Sequence, residues 1–251
     1  TFNGEVVKQL KYIYVGGDNI SENLRLKFNE KLKKEGSTCV IQQGYGLTEM
    51  GSVCVLNYDV IKPDSIGQPL LNLEAKIVND DLKELERGEV GELVFKTVQV
   101  MDGYLGDEET TKASFAEIEG EKWLKTGDYM SMDSDGFLFF KGRKKRLIKI
   151  SGMNVFPLEI EEVARRLEEI ALCVATQKNV DGKPYICLFV QLKEGLILSE
   201  KLKDKFTEYL EKNLSHWSVP KYYEQLEQMP YTNFGKVDFT AVAKICSGEN
   251  K

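Results

Sequence analysis

The sequence predicts two units, an α/β layer with a small β subdomain over residues 1–144 and an α+β domain over residues 145–251. In the first sixty residues the buried strand KYIYV (11–15), an amphipathic helix and the strand TCVIQQ (38–43) follow closely, which is typical of an α/β layer. From about 61 to 141, short apolar runs alternate with turns rich in Asp and Asn, which indicates β structure. The last 110 residues or so are enough for a core of their own.

The first helix is predicted from its cap, its apolar period and its end. Ser21 can cap the N-terminus, the apolar residues Leu24, Phe28 and Leu32 recur every four positions, and Gly36 ends the helix. Four strands are predicted in the β subdomain. They are LEAKIV, VGELVF, KWLKTGDY and GFLFF.

The second unit is predicted to mix strands and helices. LIKIS (147–151) is a strand, and Pro157 opens a helix with a buried apolar stripe. The strands ALCVATQ and YICLFVQL are joined by a turn at 181–183, and an amphipathic helix covers 199–213. A loop containing Gly and Lys and a final short helix complete the chain.

Composition and charge exclude several classes of function. Hydrophobic residues make up 42% and charged residues 29% of the 251, which is typical of a soluble globular protein. No apolar run approaches the length of a membrane span. The net charge of −6 gives no electrostatic reason to expect a nucleic acid partner.

Cysteine and histidine usage favours a reducing, cytoplasmic location without a structural zinc site. The cysteines are widely spaced, contain no CxxC pair and are accompanied by a single histidine, His216. A hydrolase triad could only be built around His216, for which a structural role is expected. The five cysteines are Cys39, Cys54, Cys173, Cys187 and Cys246.

The first segment with chemical potential is QGYGLTE (43–49), directly after a predicted strand. Ligands of open α/β sheets bind beyond the carboxyl ends of strands, and glycines allow a close approach of the backbone. Tyr45 offers a flat face for a purine, Thr48 a hydroxyl for a phosphate, and Glu49 a carboxylate for Mg²⁺. The alternative is a glycine-rich turn with an incidental acid.

Two further segments carry an acid and a run of bases. In WLKTGD (123–128), Asp128 follows a glycine at the predicted end of a strand, where it could bind both hydroxyls of a ribose; the alternative is a turn aspartate. In KGRKKR (141–146), the charge run could be a solvated face, but Arg143 and Lys149 flank the change from one unit to the other.

The fourth segment is MPYTNFGKVD (229–238). Lys236 follows a glycine in a predicted loop, from which a mobile point charge could reach a phosphate or a carboxylate. The alternative is an ordinary solvated lysine.

Taken together and in this order, the four segments resemble the adenylate-forming superfamily of acyl-CoA synthetases, peptide-synthetase adenylation domains and luciferase. QGYGLTE resembles its YGxTE motif and WLKTGD its TGD motif. GRKKRLIKISGMNVFPLEIEEV resembles its hinge and CoA-side motif, and VPKYYEQLEQMPYTNFGKVD its motif with the catalytic lysine. The resemblance covers nearly the whole chain.

The resemblance implies a nucleotide site in the first unit. Tyr45 would stack on adenine, Thr48 would contact the phosphates, Glu49 would bind Mg²⁺ and Asp128 would hold the ribose hydroxyls. The family's Gly-Gly turn beside the nucleotide and acyl pocket is matched at 16–18. The implied residues are Gly16, Gly17, Asp18, Tyr45, Gly46, Thr48, Glu49 and Asp128.

For the second unit the resemblance implies a change of role between the two halves of the reaction. Arg143 would assist at the ribose, and Lys145 matches the hinge, where the family carries Asp or Lys. Lys236 would contact the substrate carboxylate and the α-phosphate during adenylation. Lys149 and the turn after it would face the site once the domain rotates for thioester formation. The implied residues are Arg143, Lys145, Lys149, Ser151, Gly152 and Lys236.

The implied function is that of an AMP-forming acyl-CoA ligase, which uses ATP, Mg²⁺ and coenzyme A to convert a carboxylic acid into its thioester. An enzyme that loads a carrier protein is the alternative, although SGMNVFP (151–157) resembles the CoA-ligase form more closely. The family's phosphate loop, rich in Ser, Thr and Gly and ending in Lys, has no match in the chain. The chain is therefore expected to be the C-terminal part of such an enzyme and inactive alone; a noncatalytic nucleotide-binding protein is a third possibility.

Overall fold

The computed structural model describes residues 4–17, 20, 22–58 and 60–248. The chain forms two compact units, Thr1–Lys141 and Gly142–Lys251. None of the helices in these described ranges is long and apolar enough to cross a membrane.

The first unit begins with a small mixed sheet. β1 pairs in parallel with β2, which requires a crossover, and α2 supplies it. β2, β3 and β4 then pair antiparallel in that order. Leu32 of α2 packs with Ile41 of β2, as its helical period predicts. The elements are α1 (Gly4–Val7), β1 (Ile13–Val15), α2 (Glu22–Lys34), β2 (Ile41–Leu47), β3 (Ser52–Leu56) and β4 (Gln68–Pro69).

Two expectations for the α/β layer, the cap of its helix and the bounds of its second strand, are not confirmed. The predicted cap Ser21 lies outside the described residues. The second strand was expected at 38–43, but β2 runs over Ile41–Leu47 and so contains the first half of the QGYGLTE segment. The reason is pairing with β3, because Gly44 and Gly46 oppose Leu56 and Val53 across an antiparallel ladder.

The β subdomain is an antiparallel sheet in the order β5-β6-β8-β7, with β9 paired to β8. It confirms the four predicted strands. The short helix α3, which the sequence did not predict, begins where the Asp107 carboxylate accepts from the Thr110 N–H at 2.9 Å. The elements are β5 (Glu74–Val78), β6 (Val90–Lys96), α3 (Glu108–Ala113), β7 (Phe115–Ile118), β8 (Glu121–Met132) and β9 (Leu138–Arg143).

The layer and the subdomain of the first unit share one apolar core. Val55 from β3 and Leu93 and Phe95 from β6 are fully buried in it, together with Leu138. The sheet edge that carries QGYGLTE is therefore held against the strand that carries Asp128.

The second unit is built on the sheet β12-β13-β14, in which β13 and β14 run parallel. The predicted elements are present, whereas β14 was missed because its four residues lack apolar alternation. The elements are β10 (Ile148–Ile150), β11 (Met153–Val155), α4 (Pro157–Ala164), β12 (Ile170–Val180), β13 (Lys183–Leu192), α5 (Glu200–Asn213), β14 (Tyr222–Gln225) and α6 (Phe239–Ser247).

Successive side chains of β13 point to opposite faces of this sheet, as the strand period of two requires. Ile186 and Leu188 pack in the core formed with α4 and α5. Cys187 and Phe189 pack in a second core that includes Val242 of α6. The sheet is covered on both faces.

A buried acid, Glu161 of α4, joins several elements of the second unit. Its carboxylate is paired with the Arg146 guanidinium, lies 3.6 Å from the Arg165 guanidinium and accepts from the Ala175 N–H of β12 at 2.9 Å. The Arg146 guanidinium carbon also lies 3.6 Å from the centre of the Phe239 ring. A buried carboxylate with such partners is compensated, and it fixes the segment before β10 to α4 and to the start of α6.

Candidate functional site

A groove of about 520 Å³ lies at the sheet edge where the parallel strands β1 and β2 end. Open α/β sheets bind ligands at such an edge. Four glycines expected at or near a ligand contribute to its walls together with a hydroxyl. They are Gly16, Gly17, Gly44 and Gly46, with Thr48. Asp18, also expected there, lies outside the described residues.

The glycines of β2 are required by packing and leave backbone exposed in the groove. A Cβ at Gly46 would lie 2.4 Å from the Ser52 carbonyl oxygen, and one at Gly44 would lie 2.6 Å from the side chain of Leu56. A side chain at Gly46 would require movement of the β3 backbone, whereas one at Gly44 would require the Leu56 side chain to move. A flat ligand can therefore approach the main chain of β2 closely.

Tyr45 lies between these two glycines and its ring packs against the shared core. Its hydroxyl donates to the Asp128 carboxylate at 2.6 Å, which joins two sequence motifs 83 residues apart. Burial, and after it the charge of Asp128, raises the pKa of Tyr45 far above its usual value. The phenol therefore stays protonated and acts as a hydrogen-bond donor.

Asp128 was expected at the end of a strand, but it lies within β8 at a bulge. Val94 of β6 pairs with Lys125 and Glu92 pairs with Tyr129, so three residues of β8 face one of β6. Extra residues on one strand are what defines a β-bulge, and such bulges redirect side chains next to functional sites. The expectation of a strand end was wrong because a glycine before an acid reads as a turn.

The bulge is held by hydrogen bonds to β6. The Thr126 hydroxyl donates to the Leu93 carbonyl at 2.7 Å and accepts from the Asp128 N–H at 3.1 Å. Gly127 has φ +70 and its N–H donates to the Glu92 carboxylate at 3.1 Å. Asp128 is fully buried, and these bonds fix the backbone that carries its carboxylate.

Thr48 and Glu49 begin a 3-10 turn directly after β2. Thr48 is exposed and lines the groove. The Glu49 carboxylate accepts from the Tyr104 hydroxyl at 2.5 Å, and its backbone oxygen accepts from the Met101 N–H at 2.8 Å. The hydrogen bond between the Tyr104 hydroxyl and the Glu49 carboxylate is the main cause of the raised pKa of Tyr104.

The donor set around Glu49 fits Mg²⁺ only as a metal shared with a ligand. Within the described ranges, no group of three or more His, Cys, Asp and Glu side chains is placed to hold a metal ion. Mg²⁺ commonly takes one or two carboxylates from the protein and the rest of its ligands from phosphates and water. Glu49 beside Thr48 fits that pattern.

In the second unit, the predicted CoA-side residues meet in one hairpin. Lys149 is exposed on β10, and Ser151 and Gly152 form the two-residue turn to β11 with φ +50 and +85. Positive φ at both central residues is the geometry of a tight type I′ hairpin turn. Arg143 ends β9 and Lys145 lies in the following 3-10 turn, and both side chains are exposed.

Lys236 lies in a closed loop of the second unit. Tyr231 and Val237 form an isolated bridge, and the Thr232 N–H donates to the Lys236 carbonyl at 2.7 Å. Gly235 has φ +75, a conformation that favours glycine directly before the lysine. The Lys236 side chain is exposed.

The structure brings Tyr45 and Asp128 together, and it adds residues that the sequence did not single out. Tyr104, which holds Glu49, is 55 positions away from it and carries no local signal. Thr126 lies inside a recognised motif, and a hydroxyl two residues before a buried acid could have been suspected of orienting it. Arg146 was seen only as part of a charge run.

Known proteins with similar sequences include nucleotide-binding enzymes. Residues 2–105 match the family described as AMP-binding enzyme. The long-chain-fatty-acid–CoA ligase of Salmonella typhimurium is 38% identical over 200 residues. Residues 2–105 belong to the AMP-binding enzymes. The resemblance found in the sequence is thereby confirmed.

The adenylate-forming relatives are longer than this chain. The Salmonella match covers 78% of the chain and 34% of the ligase. Bacitracin synthase 1 of Bacillus licheniformis is 32% identical over 230 residues, which is 88% of the chain and 4% of the synthase.

Solved structures confirm the mixed fold class. The o-succinylbenzoate CoA synthetase of Bacillus subtilis, in complex with its acyl-adenylate intermediate, superposes with a TM-score of 0.76 at 26% identity. That match covers 93% of the chain and 46% of the synthetase.

Proposed function

We propose that the protein carrying this chain is an AMP-forming acyl-CoA ligase. In the first step a carboxylate oxygen of the acid attacks the α-phosphorus of ATP and pyrophosphate leaves. In the second step the thiol of coenzyme A attacks the acyl carbonyl, AMP leaves and the thioester forms. The observation that carries the proposal is the buried hydrogen bond between Tyr45 and Asp128.

Support from this hydrogen bond is both topological and chemical. It joins the segment whose glycines line the groove to an acid that is buried and held by a bulge. We assign Tyr45 and Gly46 to the adenine and Asp128, assisted by Arg143, to the ribose hydroxyls. A carboxylate accepts from two adjacent hydroxyls, as in other nucleotide sites. Gly16 and Gly17 contribute backbone to the same groove.

Adenylation brings two anions together, so charge must be neutralised as the pentacovalent phosphorus forms. We assign Thr48 to hydrogen bonding with the phosphates and Glu49 to holding Mg²⁺, which would supply positive charge at the phosphate oxygens. Lys236 is assigned to the substrate carboxylate and the α-phosphate. An exposed lysine on a loop closed by backbone hydrogen bonds provides a point charge whose base is fixed.

Thioester formation is assigned to the hairpin of the second unit. Lys149 and the Ser151–Gly152 turn would contact coenzyme A or the acyl-adenylate, and Lys145 would serve as the hinge between the two half-reactions. A tight turn with exposed backbone suits the approach of an extended pantetheine arm.

Coenzyme A is preferred to a carrier protein as the acceptor. The segment 151–157 has the form SGMNVFP, which resembles CoA ligases, although bacitracin synthase 1 is also among the relatives. Measuring thioester formation on CoA and on a phosphopantetheinyl carrier protein would separate the two. A tenfold preference for the carrier protein would overturn the assignment.

The function is tested by separating the half-reactions in a full-length protein that contains this chain. Lys236→Ala should reduce ATP–pyrophosphate exchange by at least about 100-fold, while thioester formation from supplied acyl-adenylate largely survives. Lys149→Ala should show the reverse. Lys244→Ala, on an exposed position of α6, is the matched control and should change neither. Equal loss of both half-reactions in both variants would contradict the assignment, and absence of both in the parent protein would favour a noncatalytic nucleotide-binding protein.

A further inference from the structure

Two cysteines of the second unit meet between the sheet and its last helix. Cys187 of β13 is fully buried and faces α6, and Cys246 of α6 packs against the same core and is partly exposed. Both side chains pack in the core that contains Phe189 and Val242, and Ile186, the residue before Cys187, pairs with Gln177 of β12. The Cys246 sulfur also lies 3.6 Å from the carbonyl oxygen of Gln177, on the strand next to β13.

Burial and the neighbouring groups make the two thiols chemically unequal. The hydrogen bond from Cys187 stabilises a thiolate at Cys246, which lowers the pKa of Cys246, and it correspondingly raises the pKa of Cys187. The charged groups that act on both sulfurs are Lys178 of β12 and Glu224 of β14, which form an ion pair with each other. The partly exposed sulfur is thus the nucleophile, and the buried one lies behind it.

The remaining cysteines, all within the described ranges, have different surroundings. Burial raises the pKa of Cys54 and of Cys173 to about 12. The sulfurs of Cys54, Cys173 and Cys39 contact backbone carbonyl oxygens. A buried thiol with a raised pKa reacts slowly with oxidants. Cys54 and Cys173 serve as internal references for the pair.

We propose that Cys246 and Cys187 form an oxidation site, at which a hydroperoxide converts the two thiols into a disulfide. The Cys246 thiolate attacks the peroxide oxygen, giving a sulfenic acid and releasing an alcohol, or water when the oxidant is hydrogen peroxide. The Cys187 sulfur then attacks the Cys246 sulfur, and the sulfenic oxygen leaves as water with the thiol proton. The thiols together lose two electrons, and one peroxide O–O bond is reduced.

The link would fasten α6 to β13. The helix begins three residues after Lys236, at Phe239. A covalent tie between its last turn and the sheet closes a loop that contains Lys236. The inference does not depend on the proposed ligase function, because it concerns only the reactivity of the two thiols.

Peptide mapping of residues 1–251 tests the site directly. After hydrogen peroxide treatment and alkylation of free thiols, trypsin should release the peptide 179–193 joined to the peptide 245–251, two hydrogen atoms lighter than their sum. Lys183 precedes a proline and is not cut, so the first peptide extends from 179 to 193. Each of the two peptides contains one cysteine. This pair should be at least tenfold more abundant than any other linked pair and should disappear on treatment with dithiothreitol.

Two cysteine variants and a measurement of thermal unfolding serve as controls. Cys246→Ser should abolish the linked peptide and leave Cys187 reduced, whereas Cys173→Ser should leave the link intact. The oxidised chain should unfold at a midpoint at least about 5 °C higher than the reduced chain, because a loop of this length is closed. Persistence of free Cys187 and Cys246, irreversible oxidation of Cys246 without a link, or a link to another cysteine would overturn the proposal.

Discussion

The two units each bury one carboxylate completely, and the two acids have different partners. Glu161 in the second unit is paired with the Arg146 guanidinium, lies near that of Arg165 and accepts from a backbone N–H. Asp128 in the first unit accepts from Tyr45, a neutral hydroxyl that burial keeps protonated. Both acids are 0% exposed.

In the proposed function, this difference separates an acid that holds the fold from an acid that would bind a ligand. A buried carboxylate surrounded by guanidinium groups has its charge compensated inside the protein, and its removal leaves partly buried cations without their partner. A carboxylate positioned by a bulge and oriented by a neutral donor can accept further hydrogen bonds from ligand hydroxyls. The first kind should respond in stability and the second in binding.

The largest effect is expected when the structural acid is removed. Glu161→Ala should lower the free energy of unfolding of the second unit by about 3–5 kcal/mol, because the Arg146 charge and the Ala175 N–H lose their partner. Urea denaturation of residues 1–251, followed by circular dichroism, measures it. Glu162→Ala is the matched control, since Glu162 is the exposed neighbour on the same helix, and should cost less than about 0.5 kcal/mol. A loss below 1 kcal/mol for Glu161→Ala would show that the acid is not structural.

An intermediate effect is expected at the partner of that acid. Arg146→Lys keeps the charge but loses the planar group that contacts both Glu161 and the Phe239 ring. We expect a loss of about 1–2 kcal/mol in the same denaturation experiment, since Glu161 keeps Arg165 and the Ala175 N–H. A loss as large as that of Glu161→Ala would mean that Arg146 alone compensates the acid.

The smallest effect is expected at a half-buried acid of the first unit, Asp133. Burial acts to raise the pKa of Asp133, but the hydrogen bond from Lys62 and those from backbone N–H groups outweigh it and hold the pKa below its usual value. A carboxylate with a lowered pKa contributes stability above its unfolded pKa of about 3.9, and the contribution is lost as the pH falls through the lower folded value.

Because this ion pair is still partly accessible to solvent and so screened, Lys62→Ala should shift the midpoint of thermal unfolding at pH 7 by less than about 2 °C. The difference from the parent chain should vanish when unfolding is measured near pH 2. A difference that grew on acidification would contradict the sign of the Asp133 shift.

The elements and motifs could be predicted from the sequence because they depend on local patterns. Leu32 recurs with the helical period, the alternation in β13 places Ile186 and Cys187 on opposite faces, and QGYGLTE and WLKTGD are recognisable segments. The hydrogen bond between Tyr45 and Asp128 joins two such segments and was not predicted, since only their order and not their pairing is written in the sequence.

What could not be predicted depends on register and distant contacts. The bulge at Asp128 arises from pairing with β6, and β2 extends to Leu47 because β3 pairs with it. The ring of Tyr104 reaches Glu49 across 55 positions. A glycine followed by an acid has the sequence pattern of a turn, and this pattern is the same when pairing with a neighbouring strand continues beyond it.

The most direct test of the distinction between the two acids measures AMP binding and unfolding together for Asp128→Asn and Glu161→Gln. In a full-length protein that contains this chain, Asp128→Asn should weaken AMP binding by at least about tenfold, which is 1.4 kcal/mol, since the amide accepts fewer hydrogen bonds and carries no charge. Its free energy of unfolding should change by less than that of Glu161→Gln, which should leave AMP binding within twofold of the parent. Unchanged AMP binding by Asp128→Asn with a large loss of stability would contradict the account and make both acids structural.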